Sequence, residues 1–232
     1  MSNRYESGSP ATCSGEEVTV IKIGGSLIKS ARELVRELHR YASEKERILI
    51  VPGGGVFADT VRTASDMYGI SDEAAHWMAV LAMDQYGHYL ADGTGAALVT
   101  DIGEESIRAG VSVLLVYDLL KRSDSGEGSG EGSGIEHTWN ATSDTIAGWV
   151  ASRLGAVFIK ATDVDGILRD GALVSEITAR ELLGMGETCV DLELPRLLIS
   201  RSLDCRVVNG RYPGSVIDAI RGVFRGTVIV GG

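Results

Sequence analysis

The chain has 232 residues, of which 44% are hydrophobic and 23% are charged. This composition is typical of globular proteins and excludes a disordered or fibrous chain. With 22 lysine and arginine residues against 32 aspartate and glutamate residues, the formal net charge is −10, which argues against nonspecific binding to nucleic acid or to an anionic membrane. A small anionic ligand stays compatible with this charge, because a few lysines and backbone amides can reverse the potential inside one cleft.

The cysteines, the apolar stretches and residues 1–17 indicate in which compartment the protein is expected. Cys13, Cys189 and Cys205 lack the spacing of a disulfide framework or a structural zinc site. No apolar stretch approaches the roughly 20 residues of a membrane-spanning helix. Residues 1–17 are polar, without the apolar core of a signal peptide, and predict a disordered tail. We therefore expect a cytoplasmic protein.

Strands and helices alternate along the rest of the chain. Short apolar runs predict strands, and apolar residues at helical spacing predict helices. In chain order, the pattern predicts a strand at 18–23, a helix over 34–41, a strand at 48–51, helices at 57–68 and 72–90, strands at 96–100 and 111–117, a helix at 142–154, a strand at 156–160, a helix at 195–203, a strand at 206–208, a helix at 215–221 and a strand at 227–230. Ser30–Glu33 and Thr178–Glu181 match capping boxes at helix starts. The alternation favours a mostly parallel sheet with helices on both faces.

One biased segment decides the domain organisation. Residues 123–134 consist mainly of glycine, serine and glutamate, which cannot form a core and predict a flexible surface loop. Since no linker separates two cores, we expect a single domain at 18–232. Its N-terminal lobe is expected over about 18–120 and its C-terminal lobe over about 135–232.

Glycine-rich turns follow the first two predicted strands. Lys22–Ser26 reads KIGGS, and Pro52–Gly55 reads PGGG. Glycines let the backbone approach a ligand closely, and the amides of such a turn can bind phosphate oxygens. Either turn alone could be a simple change of chain direction, but two after consecutive buried strands favour a phosphate site. Neither matches the P-loop or the dinucleotide-binding fingerprint.

A third motif, FIKATDVDG at Phe158–Gly166, again lies at a strand end. Its Lys160 could meet Lys22 across a cleft. The two aspartates of DVDG could hold water, a metal or a ribose, although this composition is also common in turns. Upstream, Asp144 lies at the start of a helix, where it could be an ordinary capping residue. With two lysines nearby, it could instead hold both ammonium groups.

These motifs, in this order and with GTVI near the C-terminus, resemble the amino acid kinase superfamily over 18–230. The superfamily includes acetylglutamate, aspartate, uridylate and isopentenyl phosphate kinases. The resemblance implies an α/β fold, a three-layer αβα sandwich with an open, mostly parallel sheet. It implies an acceptor site over the N-terminal half and an ATP site over the C-terminal half, with ATP and Mg²⁺ as cofactors and a homo-oligomeric assembly.

The resemblance also implies roles for individual residues. Lys22 and Lys160 would stabilise the transferring phosphoryl group, with Asp144 positioning both. The residues expected to bind phosphate are Gly24, Gly25, Ser26, Gly53, Gly54 and Gly55. The residues expected to line the nucleotide pocket are Thr162, Asp163, Asp165 and Gly166. No protein ligand to a metal is predicted.

The segments 56–62, 71–79 and 83–87 (VFADTVR, SDEAAHWMA and MDQYG) resemble one branch of the superfamily. That branch acts in methanofuran biosynthesis and phosphorylates 5-(aminomethyl)-3-furanmethanol phosphate to its diphosphate. The residues then expected at the acceptor are Asp59, Arg62, His76 and Trp77, with Asp72 or Asp84 as further partners of the aminomethyl cation and Tyr86 as a further partner of the furan. Arg62 could pair with the acceptor phosphate or face solvent, and His76 and Trp77 could instead be core residues.

Two functional hypotheses follow. The first is a kinase that acts on a small phosphomonoester, the furan phosphate foremost, with a carboxylate, nucleotide or prenyl phosphate as other acceptors. A phosphate acceptor is largely dianionic at neutral pH and needs no general base, and no obvious base lies near Lys22 in the sequence. The second is a noncatalytic nucleotide- or oxyanion-binding protein on the same fold.

Overall fold

The computed structural model describes residues 18–42, 46–126 and 132–232. The predicted tail at 1–17 and the centre of the predicted flexible loop, 127–131, lie outside the described residues, so both stay predictions. No helix in the described ranges is long and apolar enough to cross a membrane.

A single eight-stranded sheet forms the centre of the fold. The strands of the described chain are β1 (Val18–Ile23), β2 (Arg47–Pro52), β3 (Ala97–Val99), β4 (Gly110–Leu114), β5 (Val157–Thr162), β6 (Leu168–Arg169), β7 (Ala172–Leu173), β8 (Glu176–Thr178), β9 (Cys205–Asn209) and β10 (Thr227–Val230). The order across the sheet is β3-β4-β2-β1-β5-β9-β10-β8, and β6 and β7 form a separate hairpin. Within the eight-stranded sheet, all neighbouring strands run parallel except β9 and β10. The predicted mostly parallel sheet is confirmed.

Helices cover both faces of this sheet. They are α1 (Ala31–Tyr41), α2 (Gly55–Tyr68), α3 (Asp72–Ala91), α4 (Tyr117–Asp124), α5 (Ser143–Leu154), α6 (Ala179–Leu183), α7 (Leu194–Arg201) and α8 (Pro213–Ile220), with a 3-10 turn at Gly25–Leu27. α1 and α8 pack in one hydrophobic core, whereas α5 and α7 pack in the other. The three-layer αβα sandwich is therefore confirmed.

The alternation of side chains along β1 determines which residues reach each layer. Val20 packs in the same core as Trp149 of α5, and Ile21 packs in the other core with Leu34 of α1. Lys22 lies two residues after Val20 and therefore shares the face that α5 covers. The sequence of a single strand thus directs this lysine toward the start of α5.

Of the two capping boxes predicted from the sequence, one is confirmed and the other is wrong. Thr178 caps α6 in a complete capping box with Glu181, as predicted. The predicted box at Ser30 is wrong, because Ser30 is the N-cap of α1 but its side chain accepts no capping hydrogen bond. Its hydroxyl donates instead to the carbonyl of Leu27 at 3.3 Å, since the preceding 3-10 turn brings that carbonyl within reach.

The predicted strand at 111–117 is too long. β4 ends at Leu114, and α4 begins at Tyr117. The reason lies in a distant helix: Asp84 of α3 accepts the amide of Val116 at 2.6 Å and that of Tyr117 at 3.4 Å. Asp84 thus supplies the N-terminal cap that the local sequence of α4 lacks.

Candidate active site

Lys22 and Lys160 are paired residues on the neighbouring parallel strands β1 and β5. Both side chains are buried, and both reach the carboxylate of Asp144, the second residue of α5. Lys22 Nζ lies 2.7 Å from Oδ1, and Lys160 Nζ donates a hydrogen bond to Oδ2. The two lysines meet, as expected, but side by side and not across a cleft, because strand pairing makes them direct neighbours in the sheet. The expectation that Asp144 holds both ammonium groups agrees with this geometry.

The protonation of this cluster follows from burial and mutual charge. Burial opposes the ionised form of Asp144, but the ammonium groups of Lys160 and Lys22 hold its pKa well below the usual range. Burial also opposes the charge of Lys160, yet the adjacent Asp144 carboxylate outweighs it and raises the pKa of Lys160. For Lys22 burial dominates, and its pKa is lowered. Two cations around one anion leave an excess positive charge, which favours the binding of an anionic group.

The two glycine-rich turns pack against each other beside this cluster. A Cβ atom on Gly25 would lie 2.1 Å from the Cα of Gly55, so only glycine permits this approach. A Cβ atom on Gly24 would lie 3.6 Å from Lys22 Nζ, which shows that the first turn adjoins the lysine. The glycines therefore bring both turns to the end of the strands that carry the charged cluster.

The amides of these turns are not equally available to a phosphate. Gly24 donates its amide to Ala161 O at 3.0 Å, and Gly53 donates to Ile23 O at 2.9 Å. The amides of Gly24 and Gly53 are therefore already paired, and phosphate binding by these two glycines stays a prediction. The expected phosphate donors that remain lie at helix starts, where the first amides have no intrahelical acceptor. They are Gly25 and Ser26 in the 3-10 turn, with Gly54 as the N-cap of α2 and Gly55 as its first residue.

A cavity of about 520 Å³ opens next to the glycine turns, between α2, α3 and the segment before α5. Its volume is in the usual range for small-molecule sites. The residues that line it include Gly25, Ser26, Gly54, Gly55, Asp59, Arg62, Asp72, His76, Trp139 and Ser143. The cavity is therefore lined both by glycine-turn residues expected to bind phosphate and by most of the residues expected at the acceptor.

One aromatic contact in the cavity was not expected from the sequence. The Arg62 guanidinium carbon lies 4.7 Å from the ring centroid of Trp139, a distance at which a cation is attracted to the face of an indole. Trp139 lies in a segment without regular structure before α5, so no periodicity in the sequence marked it. The one signal in the sequence is that Trp139 is a large aromatic residue in a segment that is otherwise polar.

The structure gives other partners to three of the residues expected at the acceptor, whose contacts with it stay predictions. Trp77 does not line the cavity, and its Nε1 donates to Glu73 at 2.7 Å. Asp84 caps α4, as described above. Tyr86 is buried and donates its hydroxyl to Gly24 O at 3.3 Å, next to the glycine turn.

His76 lines the cavity but also belongs to an aromatic cluster. Its ring stacks on that of His137 at 4.1 Å between centroids, and Trp77 contacts both rings edge-on. Burial, followed by the nearby His137, lowers the pKa of His76 to about 4. His76 is therefore neutral near neutral pH and presents a ring without charge to the cavity.

The residues expected at the nucleotide lie together at the carboxyl end of β5, with Thr162 as its last residue. Asp163 Oδ2 is 3.2 Å from Arg211 Nη2, and Asp165 Oδ1 accepts a hydrogen bond from Asn209 Nδ2 at 2.8 Å. Thr162 is buried beside them.

Gly166 closes the same turn. It has a φ of 151°, and a Cβ atom there would lie 2.5 Å from Thr227 Oγ1. Its glycine is therefore explained by packing against the start of β10. The nucleotide contacts of these four residues stay predictions.

Buried lysines held by one carboxylate, at the carboxyl edge of a parallel sheet and beside helix-start amides, suit the charge of a transferring phosphoryl group. The chain belongs to the amino acid kinase family, whose family model matches residues 17–209. It is a phosphotransferase. It is 35% identical over 211 residues to "[5-(aminomethyl)furan-3-yl]methyl phosphate kinase" of Methanocaldococcus jannaschii, an alignment that covers 88% of this chain and 93% of the relative.

Uridylate kinases are also similar to the chain. The uridylate kinase of Thermofilum pendens is 26% identical over 232 residues, covering 88% of this chain and 94% of the relative. The crystal structure of uridylate kinase from Archaeoglobus fulgidus has a TM-score of 0.68 and 21% identity, covering 93% of this chain and 100% of that chain. At that identity, the structural likeness carries the fold alone.

Proposed function

We propose that the enzyme transfers the γ-phosphoryl group of ATP to the phosphate of an aminomethylfuran phosphate, which becomes a diphosphate for methanofuran biosynthesis. The observation that carries this proposal is the cluster of Lys22, Lys160 and Asp144 next to a cavity whose lining combines an arginine with carboxylates. The 35% identity to the Methanocaldococcus jannaschii kinase supports the choice of acceptor. The cytoplasmic location and the homo-oligomeric state stay predictions.

The cavity lining suits an acceptor that carries both an anion and a cation. Arg62 offers a planar fork that matches phosphate oxygens. Asp59 and Asp72 line the same cavity and would attract an ammonium group. Trp139 offers an aromatic face to a flat ring. These four side chains together favour an aminomethylfuran phosphate over an acceptor without a positive charge.

The reaction would proceed by direct displacement at the γ-phosphorus. An oxygen of the acceptor phosphate forms a bond to the γ-phosphorus, while the bond from that phosphorus to the bridging β,γ-oxygen breaks and ADP leaves. The acceptor is mostly dianionic at neutral pH, so no side chain needs to remove a proton. The ammonium groups of Lys22 and Lys160 would stabilise the charge on the equatorial oxygens, with the amides of Gly25 and Gly55 facing the phosphates.

Mg²⁺ is implied by kinase chemistry. In the ranges that the structure describes, no group of three or more histidine, cysteine, aspartate or glutamate side chains could hold a metal ion. Since Mg²⁺ in kinases is bound largely through substrate phosphates and water, we assign it no ligand in these ranges and expect it to enter with ATP. Bound there, it would neutralise part of the phosphate charge.

The proposal is tested by the release of ADP from Mg-ATP with a panel of acceptors. The panel contains the aminomethylfuran phosphate, its analogue without the aminomethyl group, UMP, acetylglutamate and isopentenyl phosphate. We expect the highest kcat/KM with the aminomethylfuran phosphate, and a large loss with the analogue that lacks the cation. Turnover of UMP or acetylglutamate without turnover of the furan would overturn the choice of acceptor. ATP binding without turnover of any acceptor would instead support a noncatalytic binding protein.

A further inference from the structure

Asp191 lies between α6 and α7, and its carboxylate binds the start of α5. Oδ2 accepts the amide and the hydroxyl of Thr142 at 2.9 and 2.8 Å. The amide of Thr145 donates to Oδ2 at 3.0 Å, and its hydroxyl donates to Oδ1 at 2.6 Å. Oδ1 also accepts the amide of Leu194, the first residue of α7, at 2.8 Å. One carboxylate therefore ties together the starts of two helices.

These bonds replace the local caps of both helices. Thr142 is the N-cap of α5 and Glu193 that of α7, but neither side chain makes a capping hydrogen bond. Asp191 supplies the missing acceptor for both, and its negative charge is favourable at a helix start. The position of α5 along its axis thus depends on Asp191.

The same residue touches the charged cluster directly. The backbone amide of Asp191 donates to Asp144 Oδ2 at 3.2 Å, the oxygen that also accepts from Lys160. We propose that Asp191 is a positioning residue for phosphoryl transfer, which fixes Asp144 and, through it, the two ammonium groups. This inference rests on the proposed kinase activity. Asp191 itself need not touch either substrate.

The electrostatics give this role a signature that a purely structural residue would lack. The charged groups that face Lys22 are Asp144 of α5, Lys160 of β5 and Asp191. Burial lowers the pKa of Lys22, whereas the Asp191 carboxylate acts to raise it. Loss of the charge at 191 should therefore let Lys22 lose its proton at a lower pH.

The test compares Asp191→Asn with a matched control. Asparagine keeps the size and one acceptor oxygen, but it loses the charge and one of the two oxygens that accept from Thr142, Thr145 and Leu194. We expect kcat to fall about 10- to 100-fold with little change in the KM values, because a displacement of about 1 Å remote from the chemistry can cost this much. The alkaline limb of the kcat profile should move to lower pH. All assays are run well below the Tm of each variant.

Asp204→Asn is the control. Asp204 also accepts a backbone amide, that of Gly231 at 3.0 Å. Asp204 immediately precedes β9, which is parallel to β5. It therefore lies at the amino-terminal ends of these strands, away from the charged cluster. This variant should lose some stability but keep the kcat and the pH profile of the wild type. An equal loss of kcat in both variants would overturn the proposal, as would a lower Tm in Asp191→Asn with an unchanged kcat and pH profile.

A readout that needs no acceptor separates this proposal from the proposed function. The titration of the Lys22 side chain is followed by NMR with ¹³C-labelled lysine, assigned by the loss of its signal in Lys22→Met. In Asp191→Asn the titration should move to lower pH, and an unchanged titration would overturn the role of Asp191. If the wild type phosphorylates no acceptor, the proposed function fails while the lysine titration still decides this inference.

Discussion

Lys22 and Lys160 are cross-strand partners, and their ammonium groups bind opposite oxygens of one carboxylate, that of Asp144. The cluster is buried on all three side chains, so water screens its charges poorly. A second ammonium group near the first is tolerable only because the carboxylate lies between them. Among these three side chains one positive charge is in excess, which the phosphoryl group of ATP would balance.

Replacement of either lysine by methionine should remove most of the activity. Methionine keeps much of the apolar length but cannot stabilise the charge on the transferring oxygens. We expect kcat to fall about 10²- to 10³-fold, the usual loss when one preorganised donor is removed. The measurement is the initial rate of ADP release with the best acceptor of the panel.

The control for this prediction is Lys29→Met. Lys29 is exposed and lies outside the cluster, so its replacement should leave kcat unchanged. A kcat near that of the wild type in Lys22→Met or Lys160→Met would contradict the role of the pair.

Stability should depend on Asp144 more than on either lysine. Asp144→Asn removes the carboxylate that both buried ammonium groups contact, whereas Lys22→Met still leaves one balanced pair. We expect Asp144→Asn to lower the free energy of unfolding by about 3–5 kcal/mol, the usual cost of breaking a buried pair. Urea denaturation of both variants measures the difference, and equal stability of the two would contradict the larger contribution of Asp144.

The sequence predicted β1 at its observed bounds and a strand at 156–160 where the structure has β5 at Val157–Thr162, but it did not predict the pairing of their lysines. Each strand was visible because its apolar run is local. The pairing depends on which strands become neighbours in the sheet. That is determined by packing between segments that are far apart in the chain. The prediction therefore placed the lysines on facing lobes, although the two residues lie side by side.

The residues that sequence reasoning missed share a simple property. Trp139 and Asp191 both lie in segments without periodic structure, where neither helical nor strand patterns apply. Their importance comes from partners far along the chain, Arg62 and the start of α5 respectively. Trp77, by contrast, belongs to an obvious motif but lies on the side of α3 that faces Tyr117.

Gly25→Ala should be damaging for a steric reason. The new Cβ atom would lie 2.1 Å from the Cα of Gly55, and backbone atoms cannot move aside as a flexible side chain can. Overpacking of this kind costs about 1–3 kcal/mol, and the displaced turns should also lower kcat. Thermal unfolding and initial rates measure both effects.

Gly214→Ala provides the contrast. Gly214 lies inside α8, and no atom lies within 4 Å of a Cβ atom built there. Since alanine is a better helix former, this variant should be as stable as the wild type or more stable by about 0.5–1 kcal/mol. If Gly25→Ala were also as stable as the wild type, the close contact between the two glycine-rich turns would be wrong.

Asp84 should make stability depend on pH. Burial, opposed by the amides of Val116 and Tyr117, raises the pKa of Asp84 to about 6. The folded protein then binds this proton more tightly than the unfolded chain, so this group lowers the free energy of unfolding as the pH rises from about 4 to about 7. Asp84→Asn keeps an acceptor for the amide of Val116 but does not titrate. Relative to the wild type, the variant should therefore gain stability between about pH 4 and about pH 7, as measured by urea denaturation, and a constant difference would contradict the raised pKa.

Arg62 and Trp139 should control the affinity for the acceptor rather than the chemical step. Their cation–π contact fixes the guanidinium at the wall of the cavity, from which it would bind the acceptor phosphate. Loss of such a charge-assisted contact in Arg62→Gln should raise the KM of the acceptor by about 10- to 100-fold, while kcat and the KM of ATP change little. Trp139→Leu should have a smaller effect in the same direction, because the arginine stays but loses its support.

Arg153→Gln is the matched control. Arg153 lies near the C-terminal end of α5, and its guanidinium carbon is 5.5 Å from the centroid of the Trp149 ring. This variant should leave the KM values unchanged. If Arg62→Gln left the KM of the acceptor unchanged, this arginine would face solvent and the phosphate of the acceptor would bind elsewhere.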